Sequence, residues 1–149
     1  MKKSGSFSLL FLVSLIVTGQ SPVSWTFTAK KLGNKTYEIH MTATIENGWH
    51  LYSQNQPEDA IANPTSFTLN PNPLFSNNGK IKEIGKLEKF KDIKLGLSAN
   101  QYSKKVEFVQ IINLKGNAKT NFSGSVEYQT CDDKKCLPPK TVNFNVALN

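Results

Sequence analysis

Apolar side chains occupy every second position across KTYEIHMTATIE, Lys35 to Glu46: Tyr37, Ile39, Met41, Ala43 and Ile45 alternate with polar neighbours. A period of two puts these five on one face of a half-buried strand and leaves His40 on the other. Asn47-Gly48 follows as a turn signal, and the aromatic-rich GWHLYS, 48–53, begins the next strand. The run VEFVQIINL, Val106 to Leu114, is apolar on both faces and predicts a strand central in its sheet. Further on, Phe122, Gly124, Val126 and Tyr128 share one face, a cysteine-bearing turn intervenes, and Val142, Phe144, Val146 and Leu148 share another. That pattern predicts a closing hairpin.

Between Gln56 and Pro73 the prolines Pro57, Pro64, Pro71 and Pro73 exclude helix and bracket one short strand, Ser66 to Leu69. Lys80–Ile84 and Leu87–Phe90 are strand or loop candidates. No long helical period or fixed repeat occurs. About seven or eight short strands separated by turn residues predict an all-β fold, an antiparallel β-sandwich of immunoglobulin-like type. The inter-sheet disulfide common in such sandwiches is excluded, because the two cysteines are close neighbours in sequence.

The first residues change the picture. Lys2 and Lys3 precede an apolar run, Phe7 to Val17, that is too short to span a bilayer and has the form of a secretory signal. Gly19, with Val17 two positions before it, offers a cleavage site. Residues 1–19 are therefore expected to be a cleavable signal peptide and 20–149 one exported domain, with no transmembrane segment in the mature chain. No cysteine follows the run, so a lipoprotein attachment site is absent. Of 149 residues 18 are basic and 11 acidic, a formal charge of +7, and every basic residue is a lysine. Without arginine the chain lacks the bidentate fork that base readers and phosphate clamps favour, and nucleic acid is not expected as a partner. Lys80, Lys82, Lys86, Lys89, Lys91 and Lys94, interleaved with Glu83, Glu88 and Asp92, read as a solvated face.

Chemistry concentrates in YQTCDDKKCLPPK, Tyr128 to Lys140, where four residues separate Cys131 from Cys136. A structural bridge is the plain expectation in an exported protein. Closing so short a loop removes only about 2 kcal/mol of unfolded-chain entropy, roughly half of what a bridge across a sandwich would remove. The pair suits a reversible couple at least as well, since exchange needs an accessible thiolate and a second thiol nearby to resolve the mixed disulfide. Asp132 and Asp133 follow Cys131, whereas Lys134 and Lys135 precede Cys136. Proximity therefore disfavours the thiolate at Cys131 and favours it at Cys136, so Cys136 is expected to attack and Cys131 to resolve. Pro138 and Pro139 fix the backbone just beyond. The cysteine spacing and the distant His40 and His50 fit no common zinc pattern; no metal or cofactor is expected. Papain-like catalysis lacks a histidine near the turn in sequence.

A signal peptide, GWHLYSQ at 48–54 and VEYQTCDDKKCLPP at 126–139 together resemble the amino-terminal periplasmic domain of the DsbD thiol:disulfide interchange protein, along nearly the whole mature chain. The Tyr-x-x-Cys turn followed by Cys-x-Pro-Pro is the specific part, although the cysteine spacing is one residue shorter than in the best-known members. The resemblance implies an immunoglobulin-like fold, a periplasmic location and dithiol-disulfide exchange. In that exchange Cys131 and Cys136 form the redox pair and the second cysteine makes the mixed disulfides. It implies a thioredoxin-like protein or domain acting in trans as donor, because these residues carry neither the membrane conduit nor the thioredoxin-like domain of full-length members, and oxidised disulfide-bearing periplasmic proteins as acceptors. It also implies an aromatic cap over the cysteines, for which Phe90 in LEKFKDIKLG, 87–96, is the candidate; the plainer reading of Phe90 is a core residue.

Trp49, Tyr52 and Tyr128 are expected to build the core or support the cysteine turn. His50 could assist proton transfer if the fold brings it beside the turn; otherwise it is a surface or turn residue. Asp132 and Asp133 read as a solvated turn. The competing function is a noncatalytic binding domain with a structural disulfide, and a third is an adhesion or envelope-assembly domain, for which the sequence holds no motif.

Overall fold

The computed structural model describes residues 21–149, and the expected signal peptide lies outside them. Period-two alternation dominates these residues, and they form eleven strands with no helix among them. One sheet has the order β1-β2-β8-β5, built from β1 (Val23–Lys31), β2 (Thr36–Ile45), β8 (Lys105–Leu114) and β5 (Phe75–Gly85). A three-stranded sheet, β11-β9-β4, contains β11 (Lys140–Leu148), β9 (Thr120–Tyr128) and β4 (Ser66–Leu69). A small sheet, β10-β3-β7-β6, contains β10 (Thr130–Cys131), β3 (His50–Tyr52), β7 (Leu97–Tyr102) and β6 (Glu88–Asp92). All strand pairings within the sheets are antiparallel.

The two larger sheets pack face to face through the residues that the alternation selects. Tyr37, Ile39, Met41, Ala43 and Ile45 of β2 are all buried, and His40 lies outward against Glu38 and Glu107. β8 is central, between β2 and β5, and its Phe108 meets Phe67 of β4 with ring centroids 5.1 Å apart. Phe27 stacks on Phe144 at 4.8 Å, and Trp25 lies 5.5 Å from Tyr128. The closing hairpin pairs Phe122 with Val146 and Val126 with Val142, as the alternation predicts. Gly124 is required there: a Cβ would sit 2.3 Å from the Thr68 carbonyl oxygen of β4, closer than any side chain tolerates.

The strand count corrects the sequence reading, eleven against the expected seven or eight. The sequence reading names no strand before Lys35, although Val23, Trp25, Phe27 and Ala29 of β1 alternate as cleanly as the apolar positions of β2. β7 escaped because Ser98, Asn100 and Gln101 dilute its apolar positions. The candidates at 80–84 and 87–90 are strands, extended into β5 and β6. A third sheet arises where the chain corners after β2. Gly48 takes φ +84°, the Trp49 N–H donates to the Glu46 carbonyl at 3.1 Å, and β3 leaves to pair with β7 and β10.

Two attachments hold the small sheet to the main body. Leu51 and Tyr102 insert into the main core. Glu83 of β5 accepts from Ser53 Oγ at 2.7 Å, from the Gln54 N–H at 2.6 Å and from Tyr102 OH at 2.7 Å. This network explains the polar end of GWHLYSQ: Ser53 and Gln54 are anchors.

Candidate functional site

The cysteine turn is a tight hairpin organised by Asp132. Its backbone N–H donates to the Lys135 carbonyl at 2.9 Å, and its Oδ1 accepts from the backbone N–H groups of Lys134 at 2.8 Å and Lys135 at 2.7 Å. An aspartate that folds its side chain back onto the following amides makes such a turn locally stable. Those bonds, from Lys134 first and then Lys135, hold its carboxyl below the usual carboxylate range. Leu137 N–H donates to the Thr130 carbonyl at 2.9 Å on the far side of the cysteines. Cys131 and Cys136 thus face each other as an antiparallel bridge with Cα atoms 4.0 Å apart, joined as a disulfide.

The two sulfur-bearing residues differ in access. Cys131 is 4% exposed and packs with Tyr52 and Ala99, whereas Cys136 is exposed. Both line a cavity of about 520 Å³ walled by β3, β7, β6 and the turn, with His50, Tyr52, Ala99, Gln101 and Phe90 among its lining. Among the described residues no lysine lines this cavity. The Tyr52 hydroxyl titrates above its ordinary value because burial disfavours the phenolate.

His50 stands directly across the ladder from Cys131 in the β3–β10 pair. Its Nδ1 lies 3.1 Å from Ser103 Oγ, and its Nε2 lies 3.7 Å from Asp133 Oδ1 on the cysteine turn. The fold therefore brings His50 beside the turn, the condition the sequence left open. Tyr52, two residues on, faces the same cavity. Period two along GWHLYS could have paired these two side chains, but that they meet the cysteines depends on pairing between strands about 80 residues apart, which no local pattern encodes.

Of the other sequence candidates, Phe90 lies in β6 at the cavity and is 48% exposed. The core reading of Phe90 is thereby corrected: among the described residues its strand is an edge of the small sheet, paired with β7 on one side. Tyr128 does not reach the cavity; it is a buried core residue against Trp25, and its hydroxyl lies 3.2 Å from Ser21 Oγ. Pro138 is exposed just beyond the hairpin.

The site is thus a disulfide with one exposed and one buried half, presented by an all-β domain. The chain belongs to the family described as thiol:disulfide interchange protein DsbD, N-terminal, whose profile matches residues 20–148. Among solved structures it is similar to the Neisseria meningitidis DsbD N-terminal domain in the reduced form, at 14% identity and a TM-score of 0.51, covering 84% of this chain and 86% of that one. It is also similar to the N-terminal periplasmic domain of ScsB from Proteus mirabilis, at 16% identity and a TM-score of 0.51. That match covers 83% of this chain and 44% of the other. The complex between the DsbD N-terminal and PilB N-terminal domains of N. meningitidis aligns at 14% identity with a TM-score of 0.48, covering 83% and 80%. No curated protein sequence matches the chain.

Proposed function

We propose that this chain is a periplasmic thiol-disulfide interchange module of immunoglobulin-like fold, relaying electrons from a thioredoxin-like donor acting in trans to oxidised disulfide-bearing partners. The observation that carries this reading is the unequal access of the two cysteines. An incoming thiolate meets the exposed Cys136 more readily than the buried Cys131, so the mixed disulfide forms at Cys136 and Cys131 is the leaving, and later the resolving, sulfur. The lysines beside Cys136 and the aspartates beside Cys131 bias the thiolate in the same direction. The hairpin closes and opens this bond locally, because Asp132 and the bonds on either side of the pair define the turn independently of the sulfurs. Phe90, at the lip of the cavity, acts as the aromatic cap.

The deciding measurement is the reduction potential of the pair against a glutathione or dithiothreitol buffer. A relay requires a potential that thioredoxin-like proteins can reach; a value below about −300 mV marks a structural bridge and leaves the noncatalytic binding domain as the function. Trapping tests the assignment of roles. Cys131→Ser accumulates mixed disulfides through Cys136, and Cys136→Ser accumulates few; equal trapping contradicts the assigned roles.

A further inference from the structure

The buried half of the disulfide poses a proton problem. When Cys131 leaves as a thiolate it does so from a residue only 4% exposed, and when it resolves a mixed disulfide it must first lose a proton there. The turn supplies no acid or base suited to this: Asp132 is committed to two backbone amides and Asp133 is exposed.

His50 is suited to it, and its surroundings decide which nitrogen carries the proton. Ser103 Oγ donates to Glu88 Oε2 at 3.1 Å. A hydroxyl has one hydrogen to give, so toward His50 Nδ1, at 3.1 Å, Ser103 acts as acceptor. That fixes Nδ1–H and leaves Nε2 as the basic nitrogen of the neutral ring, on the side of the cysteine turn. Ser103 is itself held by a tight turn. Lys104 adopts φ +67°, the Lys105 N–H donates to the Ser103 carbonyl at 2.8 Å, and the Lys104 carbonyl accepts from Ile45 N–H at 2.7 Å. A lysine in the left-handed region persists only where its surroundings enforce it.

We propose that His50, its tautomer set by the Ser103–Glu88 pair, is the proton acceptor and donor for Cys131 during exchange; the proposal rests on the interchange function above. In the reducing half-reaction the donor thiolate attacks Cys136 Sγ, the Cys131–Cys136 bond breaks, and Cys131 leaves as a thiolate that takes the Nε2 proton of the imidazolium. The donor's second thiolate then attacks its own sulfur in the mixed disulfide and releases Cys136 as thiolate, so two electrons have moved to this chain. In the oxidising half-reaction the Cys136 thiolate attacks the acceptor disulfide, which breaks, releasing one acceptor sulfur as a thiolate and leaving the other bonded to Cys136 Sγ. Cys131 then gives its proton to Nε2, attacks Cys136 Sγ and expels the acceptor thiolate. The charged and titratable groups facing His50 are Asp133 and Asp132 on the turn, Tyr52 on its own strand, Cys131 across the ladder, and Glu88 on β6 through Ser103.

The test uses the reduced protein and a stoichiometric amount of the aromatic disulfide dithiobis(nitrobenzoate) in stopped flow. Cys136 attack releases one nitrothiobenzoate, and displacement by Cys131 releases the second. The wild-type rate of the second release is expected to fall toward acid pH, where the proton acceptor is already occupied, and to show an inflection that reports this acceptor. His50→Gln keeps a hydrogen-bonding side chain but cannot titrate. It is expected to slow the second release at neutral pH by at least about tenfold, toward the effect typical of a general base, and to abolish the inflection, with the first release unchanged. Ser103→Ala is expected to slow the second release by a smaller factor and to keep the inflection. It serves as the deciding variant should His50→Gln lower the thermal midpoint. A second release with the wild-type rate and pH profile in His50→Gln, or in Ser103→Ala where that variant decides, overturns the assignment while leaving the interchange function standing. A wild type that releases no nitrothiobenzoate at all overturns both.

Discussion

The two ends of this domain are built by opposite rules. Between the larger sheets, Trp25, Phe27, Phe67, Phe108, Phe122, Tyr128 and Phe144 meet ring against ring, and almost every alternating position of β2, β8, β9 and β11 is used. The small sheet has a separate cluster with Tyr52, Ala99 and Cys131 as its buried members, beside an open cavity and an edge strand whose Phe90 is half exposed. The first region supplies the free energy that keeps the chain folded, and the second holds groups that must be reached from outside. Low local stability belongs with the second by necessity. On the proposed function, the exchanging bond lies in the small sheet, away from the aromatic layers.

The sharpest way to break this contrast is to cut a hole in the aromatic layer. Phe108 is fully buried and touches rings from both sides. Phe108→Ala is expected to cost about 3–5 kcal/mol, read as a lowered urea midpoint, and to unfold the small sheet along with the rest because Leu51 and Tyr102 lose their seat. Retention of the cysteine site in a molecule whose main core has melted would show that the small sheet folds alone.

Next in size is the Glu83 clamp between the regions. Glu83→Gln replaces an acceptor oxygen with a donor facing Ser53, the Gln54 amide and Tyr102, and is expected to cost about 1–3 kcal/mol. A signature in pH accompanies it. Burial first, then the hydrogen bond and negative charge of Glu83, raise the Tyr102 hydroxyl above its ordinary value. A group whose pKa is raised on folding contributes stability that is fully present below its unfolded value and is lost as pH rises toward the folded one. Chemical denaturation at increasing pH should therefore show stability declining above about pH 10, and the decline should be shallower in Glu83→Gln.

The disulfide itself ranks below both. Replacing Cys131 and Cys136 together with serine is expected to lower stability by no more than about 2 kcal/mol, with a cooperative transition and an unchanged aromatic near-ultraviolet spectrum, because the closed loop is short. A loss approaching that of Phe108→Ala would move the cysteines from the working region to the supporting one and count against the relay.

This division also explains what the sequence disclosed. β2, β8 and the β9–β11 hairpin were legible because strands buried on one face repeat at period two and a central strand is apolar on both, and these belong to the supporting region. The cysteine turn was legible by composition, since two cysteines, paired charges and a proline pair leave little choice of chemistry. The walls of the cavity were not. His50 reaches Cys131 only through the β3–β10 register, Ser103 follows the neighbouring strand β7, Glu88 opens β6 beyond it, and β7 is too polar to announce itself as a strand. Phe90 was misread as core for a related reason: hydrophobicity reports that a side chain prefers burial, and an edge strand beside a functional cavity withholds it.

The smallest expected effect on stability is the most informative about function. Phe90 is half exposed on edge strand β6, and it lines both the cysteine cavity and a second hollow formed by Pro57, Asp59, Ser98 and Asn100, so its ring stands between two open spaces. Phe90→Ala removes a side chain that little packs against, and the urea midpoint is expected to change by less than about 0.5 kcal/mol. Access to Cys136 should change far more. If the ring caps the disulfide, its removal should accelerate reduction by dithiothreitol severalfold, with Phe90→Leu intermediate, because a shorter apolar side chain still shields part of the approach. Equal rates in wild type and Phe90→Ala would mean that the lip of the cavity is already open and that the hairpin alone governs access to the sulfurs.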